Sequence, residues 1–347
     1  MFVVRHRRSE GRLSVIGLIG LTMMFSGTNA VAETPPAPEL MFPLHCAEPA
    51  NCIPLVYADH KPGPGVQDYN CGLNAREQSG VTHIALRSLA EVDQSIPVLA
   101  AAPGKVRGTR DGIRDEGPEL RDASGKPPPF CGNAVEITHK GGWVSRYCHM
   151  REGSVLVKAG DDIQAGDVIG YAGWSGKAPL PGLGFRLKHE NTILDPFTGT
   201  PSTESCATKG KPLWSKVPAK VKNYEDIIIV DAGFSATPQP LLPDIIRGYH
   251  RQTSLPVTAP SLVFWVLVGN VVPGELRTLQ IVGPNDRIIA EQKHQERDAA
   301  PVMLLHTGAA RPEKGWIPGV YSASVVISRE INGQVIDINK FFEIQVE

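Results

Sequence analysis

Short apolar runs, separated by glycine, proline and charged residues, fill the chain from Cys46 to about Trp214. Apolar and polar positions alternate in many of them, as around Val135 and Ile137. A period of two residues is typical of half-buried strands. The pattern therefore predicts an all-β region with strands at 96–106, 134–138, 144–148, 155–157, 168–171 and 185–187. The charged, Gly- and Pro-rich stretch 107–130 predicts a long surface loop on a hairpin.

A second group of strand-like runs follows near the end of the chain, at 262–268, 276–282, 287–290, 302–305, 321–328 and 341–346. Six short strands in ~90 residues without cysteine predict an immunoglobulin-like β-sandwich over 258–347. Trp265, Trp316 and Tyr321 are its expected core aromatics, with a carbohydrate platform as the alternative. Pro-rich composition predicts a leader at 33–45 and a linker at 215–257.

The first 32 residues have four arginines, an apolar run from Leu13 to about Phe25, and a small-residue site at Ala30-Val31-Ala32. This order predicts a secretory signal peptide at 1–32. A membrane anchor is the alternative, but the run is shorter than the ~20 residues that span a bilayer. No later run approaches that length, so no membrane span is predicted for the mature chain. The prediction places the protein in the periplasm or cell envelope.

Charge argues against one class of partner. The formal net charge is -1, and removing the predicted signal peptide makes it about -4. The remainder contains no Lys/Arg block, so we expect no nucleic-acid partner.

The chain contains six cysteines, and an even number in an exported protein predicts disulfides. A hairpin turning at 139–142 brings Cys131 opposite Cys148, or within a place or two of it, and predicts that pair. Three pairings stay open for the other four, which are Cys46, Cys52, Cys71 and Cys206.

Four motifs occur in a fixed order in the first β region, at 96–106 (IPVLAAAPGKV), 131–139 (CGNAVEITH), 147–150 (YCHM) and 158–170 (KAGDDIQAGDVIG). Their order, spacing and glycines, continuing through Asp195-Pro196, resemble the lysostaphin-type, or LytM, zinc metallopeptidase family. The resemblance implies an antiparallel β-sheet lining a groove, and most of its members cut peptidoglycan. The predicted fold class is therefore all-β: a LytM-type groove domain at 46–214 plus the C-terminal sandwich.

The resemblance also implies a zinc ion held by the His and Asp of an H-x-G-x-D element and by the second His of an H-x-H strand. Here Ser79 and His83 stand at the first pair of positions, and Gly182 and Gly184 at the H-x-H positions. Among the catalytic-type residues only His149 is kept. Because glycine has no ligand atom and a serine hydroxyl is a poor zinc ligand, we predict no cofactor and an inactive metallopeptidase fold.

The sequence offers no convincing replacement for the missing zinc ligands. A set of His83, His149 and Glu190 is disfavoured because Glu190 lies about 20 Å along the strand from Gly184. His60 and His139 are each adjacent to a turn and are predicted to be solvated or to satisfy that turn. Gly173-Trp174-Ser175-Gly176 lacks the G-x-S-x-G spacing of a serine nucleophile and is predicted to be a turn.

The function predicted from these residues is an exported, non-catalytic module that binds peptidoglycan or regulates a cell-wall hydrolase. The glycines at 182 and 184 are expected to leave the groove floor open for a ligand. One alternative is a zinc-dependent peptidoglycan endopeptidase with an altered ligand set. Another is a periplasmic adaptor that acts through its sandwich.

Overall fold

The computed structural model describes residues 35–46, 52–208 and 210–347. The predicted signal peptide at 1–32 lies outside these residues. Within them, no helix is both long and apolar enough to cross a membrane.

Short strands dominate the first part of the chain, as the alternating pattern predicts. Their bounds are β1 (Leu40–Met41), β2 (Ile53–Val56), β3 (Thr82–Ala85), β4 (Pro97–Leu99), β5 (Gly104–Arg110), β6 (Asn133–Thr138), β7 (Trp143–Met150), β8 (Asp162–Ile163), β9 (Val168–Tyr171), β10 (Gly182–His189), β11 (Thr192–Leu194) and β12 (Trp214–Lys216). Two single-turn helices accompany them, α1 (Leu89–Val92) and α2 (Ala219–Lys222). The strand predicted at 155–157 does not form.

Eight of these strands form one sheet in the order β2-β3-β10-β7-β6-β5-β8, with β11 paired to β10. All its pairings are antiparallel. Val135, Tyr147 and Phe185 on one face are fully buried in the core, which is what the two-residue period dictates. The opposite face carries the candidate site.

The second part of the chain forms two further sheets. Their elements are β13 (Ile228–Ser235), α3 (Leu242–Ile246), β14 (Ser254–Leu255), β15 (Ser261–Val271), β16 (Leu276–Val282), β17 (Ile288–Gln295), β18 (Ala300–Ala310), β19 (Gly319–Ile331) and β20 (Gln334–Val346). The sheet orders are β13-β15-β18 and β14-β20-β19-β16-β17. Phe264 of one sheet and Ile281 and Val325 of the other share one buried apolar cluster, so the two sheets form a sandwich.

The structure differs from the predicted linker at 215–257. Residues Ile228–Ser235 form β13, an edge strand paired along β15. Trp265 is buried as expected, but it belongs to the apolar cluster that joins the sandwich to β2. Trp316 and Tyr321 lie in the sandwich core.

Three disulfides account for all six cysteines. Cys131 is bonded to Cys148, the pair that the hairpin predicts. The pairing left open by the sequence is Cys46 with Cys52 and Cys71 with Cys206.

Candidate functional site

Three adjacent strands bring four of the five predicted groove residues together. Gly184 of β10 lies directly opposite His83 of β3 on one side and Cys148 of β7 on the other. Gly182 lies two residues before Gly184, opposite Ala85. Because alternate residues of a strand share a face, the predicted H-x-H positions stand beside His83 and the end of β7.

A β-bulge brings His149 into this group. Ala134 of β6 pairs with Cys148 and Asn133 pairs with Met150, so His149 is the extra residue of β7. Its backbone φ of 68° is in the left-handed region, which is strained for a histidine. The imidazole rings of His83 and His149 meet edge to face with centroids 5.6 Å apart.

Backbone carbonyls orient both imidazoles. Nδ1 of His149 donates to the carbonyl of Ser175 over 2.9 Å, and Nε2 of His83 donates to the carbonyl of Leu180 over 3.1 Å. The remaining nitrogens, Nε2 of His149 and Nδ1 of His83, therefore carry the lone pairs of neutral rings. Nδ1 of His83 is buried with no hydrogen-bond partner in the described part of the chain.

Burial keeps both rings neutral. Each histidine is 3% exposed. Burial, followed by the positive charge of Arg76, lowers the pKa of His149 to about 4 despite its bond to Ser175. Burial, with His149 and Arg76, lowers the pKa of His83 well below its usual value.

This donor set does not fit a catalytic zinc ion. His83 and His149 offer two imidazole nitrogens, whereas a catalytic zinc site takes three protein ligands. Among the described residues no three His, Cys, Asp or Glu side chains come together as a metal site. Together with burial, the positive charge of Arg76 lowers the pKa of both rings, and the same charge opposes a divalent ion at this position. Nη2 of Arg76 is buried with no hydrogen-bond partner among the described residues.

The expectation that Gly182 and Gly184 leave the groove floor open for a ligand is wrong. Both glycines are buried. A Cβ on Gly182 would lie 2.1 Å from the carbonyl oxygen of Ile84, and one on Gly184 would lie 3.0 Å from Cδ2 of His149. The His149 ring and the neighbouring backbone occupy the space that the missing side chains would need.

The remaining residues considered in the sequence analysis either lie outside this cluster or make structural hydrogen bonds. Ser79 is half-buried, and its Oγ accepts the backbone N–H of Val81 over 3.3 Å. Glu190 is exposed in the turn between β10 and β11. Ser175 is buried, where its Oγ donates to the carbonyl of Met150 and accepts the N–H of Asn133.

The predictions for His60 and His139 are also wrong, because both residues are buried. His60 is 1% exposed and its Nε2 lies 2.9 Å from Oδ2 of Asp195. His139 is 5% exposed between the carbonyl of Pro103 and the hydroxyl of Ser145. Their long-range partners could not be recognised from neighbouring turn residues.

Beyond Gly184, the same face of the sheet becomes basic. Two rows of facing residues cross β10, β7, β6 and β5, first Arg186, Arg146, Glu136 and Gly108, and then Lys188, Val144, Thr138 and Lys105. Arg107, in the bulge of β5, also reaches this face, where its Nη1 lies 3.1 Å from Oε1 of Glu136. The alternating charges in the sequence were the available signal for this surface.

The fold and site thus define an all-β protein whose main sheet carries a buried histidine pair and two glycines. Residues 88–196 match the family model described as Peptidase family M23. The chain therefore contains a peptidase family M23 domain of the LytM type. The match begins after Ser79 and His83 and includes His149, Gly182 and Gly184.

Similar proteins include the cell division protein DipM of Caulobacter vibrioides, which is 30% identical over 102 residues. That stretch is 29% of this chain and 14% of DipM, so the chain spans about a seventh of that relative. The catalytic domain of lysostaphin from Staphylococcus simulans is 22% identical, with 41% of this chain and 85% of that chain covered and a TM-score of 0.26. A zinc-containing peptidase from Vibrio cholerae is 20% identical, with 47% and 39% covered and a TM-score of 0.30.

Proposed function

We propose that this protein is an exported, non-catalytic M23 module of the cell envelope that binds peptidoglycan or regulates a wall hydrolase. The observation that carries the proposal is the donor set around Gly184. It consists of two buried imidazoles, one fewer than the three protein ligands of a catalytic zinc site. Without a metal to polarise the scissile carbonyl and acidify water, the fold lacks the chemistry by which a zinc peptidase hydrolyses an amide.

Three disulfides support an oxidising location, and the M23 domain supports a wall ligand or a wall-enzyme partner. The alternative remains a zinc endopeptidase that recruits ligands from substrate or from a rearranged loop. That alternative predicts a zinc ion held through His83 and His149, because these are the imidazoles close to the H-x-H positions.

Elemental analysis and peptidoglycan digestion test the proposal together. The purified full chain, incubated with zinc and desalted, is expected to retain less than about 0.1 zinc per chain, since two imidazoles do not form a tight site. Chromatography should detect no release of soluble muropeptides from sacculi. A double variant, His83→Ala with His149→Ala, is the matched control and should behave in the same way.

Chelator-sensitive release of muropeptides by the wild type, with about one zinc per chain that the double variant loses, would overturn the non-catalytic function. Co-sedimentation of the full chain with sacculi separates the two proposed roles. Retention on sacculi supports wall binding, and its absence leaves regulation of a hydrolase as the role to examine.

A further inference from the structure

The basic rows beyond Gly184 contain one arginine that makes no hydrogen bond or ion pair with the residues that the structure describes. Glu136 is shared by two arginines, since Nε of Arg146 donates to its Oε2 over 2.6 Å and Arg107 approaches its Oε1. Arg186 lies directly opposite Arg146 but has no hydrogen bond or ion pair with any described residue. Glu136 cannot neutralise three guanidinium groups.

This arrangement is unfavourable for the protein alone. Like charges directly opposite each other on neighbouring strands destabilise a sheet. Burial and then the charge of Arg146 lower the pKa of Arg186, although Glu136 acts in the opposite direction. A half-buried arginine with five N–H donors and no acceptor in the described part of the chain is a site that an anion would stabilise.

A second cation follows on the same strand. Lys188 is half-buried on the face of Arg186 and likewise has no partner among the described residues. Two residues of a strand span about 7 Å, which is also the spacing of alternate side chains in an extended peptide. The two cations therefore match alternate acidic residues of a peptide running along β10.

We propose that Arg186 and Lys188 form a binding site for a carboxylate-bearing extended peptide on the face of β10, with one carboxylate held by the Arg186 guanidinium. The proposal rests on the wall-binding form of the proposed function and names the chemistry of its ligand. Arg186 supplies paired N–H donors for a bidentate contact, and Lys188 supplies a point charge.

The surrounding charges favour a short acidic peptide over a polyphosphate. Glu136 lies in the same row as Arg186 and would repel a continuous line of phosphates. The mature chain also lacks the overall basic field that polyanions recruit, with a formal charge of about -4 once the predicted signal peptide is removed. The site therefore fits separate carboxylates next to uncharged peptide groups.

A pair of short peptides tests this site. The probe is acetyl-Ala-Glu-Ala-Glu-Ala-amide, and its Gln analogue has the same shape without the two charges. Both are titrated into the full chain by NMR at low salt. We expect the Glu peptide to bind about tenfold more tightly, with the difference shrinking as salt is added. Inorganic phosphate, added as a competitor, should displace the peptide weakly.

Arg186→Gln should remove most of the preference for the Glu peptide and leave only the contribution of Lys188, whereas Arg186→Lys should keep more of it. The control is Arg287→Gln, which removes the same charge from an exposed position of the sandwich. It should leave binding unchanged. Because Arg186→Gln also removes the like-charge contact with Arg146, its melting temperature should equal or exceed that of the wild type, which excludes unfolding as the cause of lost binding.

Equal affinities of the wild type for the two peptides, or a preference that Arg186→Gln leaves unchanged, would overturn the site. Strong displacement by phosphate would also overturn it in favour of a phosphate ligand. Sacculus binding that is unaffected by Arg186→Gln would overturn this site while leaving the proposed wall binding in place. None of these results depends on zinc content or digestion, which test the non-catalytic function separately.

Discussion

Gly182 and Gly184 differ in how strictly the backbone requires them. Gly182 combines a φ of 148° with a position where a Cβ would lie 2.1 Å from a backbone oxygen. Gly184 has no such backbone restriction, and its nearest obstacle is the His149 ring. The His149 ring can shift by a few tenths of an ångström to make room for a Cβ. The sheet backbone beside Gly182 cannot shift without breaking its hydrogen bonds.

Replacement by alanine should reveal this difference in urea denaturation. Gly182→Ala is expected to lower the free energy of unfolding by about 3 kcal/mol, because it combines backbone strain with overpacking. Gly184→Ala should lower it by about 1 kcal/mol or less. Equal losses would contradict the structure at this site. Gly184→Trp should be far more destabilising, because the indole would collide with His149 and Cys148.

At the same scale, sequence identifies residue types better than their surroundings. The absence of zinc ligands at 182 and 184 could be predicted because glycine has no donor whatever its environment. Whether the position is open or filled depends on His149, and its place follows from a one-residue bulge that periodicity does not encode.

Among the elements, the loop at 59–79 shows how a segment without regular structure is fixed. The carboxylate of Asp59 accepts the backbone N–H groups of Lys61, Gln67 and Gln78. His60 then joins the loop to the segment after β11 through Asp195 and the carbonyl of Glu204. Both ring nitrogens face acceptors, so this contact favours the doubly protonated imidazole.

The His60 contact should make stability depend on pH. Burial alone would lower the pKa of His60, but Asp195 and the carbonyl of Glu204 outweigh burial and raise it above 6.5. A raised pKa means that the stabilisation is complete below pH 6.5 and is lost as pH rises through the pKa of the folded state. His60→Asn should therefore lower the free energy of unfolding more at pH 6 than at pH 8.5. Urea denaturation of the wild type and the variant at the two pH values measures this difference. A pH-independent difference would contradict the ion pair. The control is His45→Asn, because His45 is exposed and its ring makes no ion pair with a described residue.

Strand prediction succeeded for β6 and β10, where apolar and polar residues alternate, and for the long apolar run of β15, but it missed β13. The apolar run Ile227 to Val230, which leads into β13, is short and lies between Pro-rich segments. β13 is apolar on both faces here because one face packs in the sandwich and the other against β2. Composition therefore suggested a linker where burial on both sides produced a strand.

In the whole molecule, the main sheet and the sandwich meet through an apolar interface. Leu55 and Leu180 from the first part of the chain pack with Ile228, Ile245 and Trp265 from the second. The buried amide of Asn270 donates to the carbonyl of Leu55, which adds a polar contact to the interface. An interface of this kind couples the unfolding of the two parts.

Gly269 provides a direct test of that coupling. A Cβ there would lie 2.3 Å from Cδ1 of Leu55, so Gly269→Leu should wedge the interface open. Calorimetry should show one transition for the wild type and a broadened or split transition for the variant, with about 3 kcal/mol of stability lost. Gly108→Leu is the matched control, because no atom lies within 4 Å of a Cβ at that strand position. Two separate transitions already in the wild type, or a Gly269→Leu variant that keeps the single sharp transition of Gly108→Leu, would contradict this role of the interface.

The bond between Cys71 and Cys206 spans 135 residues and so encloses the strands from β3 to β11 in one covalent ring. A protease that cuts the exposed stretch between β5 and β6 opens this ring but releases no fragment. The two pieces stay joined through the bond between Cys71 and Cys206. Under oxidising conditions a nicked chain would therefore keep the mass of the intact protein plus one water, and it would separate into two pieces after reduction. The ring makes the main sheet tolerant of a backbone cut between β5 and β6 for as long as the disulfide stays oxidised.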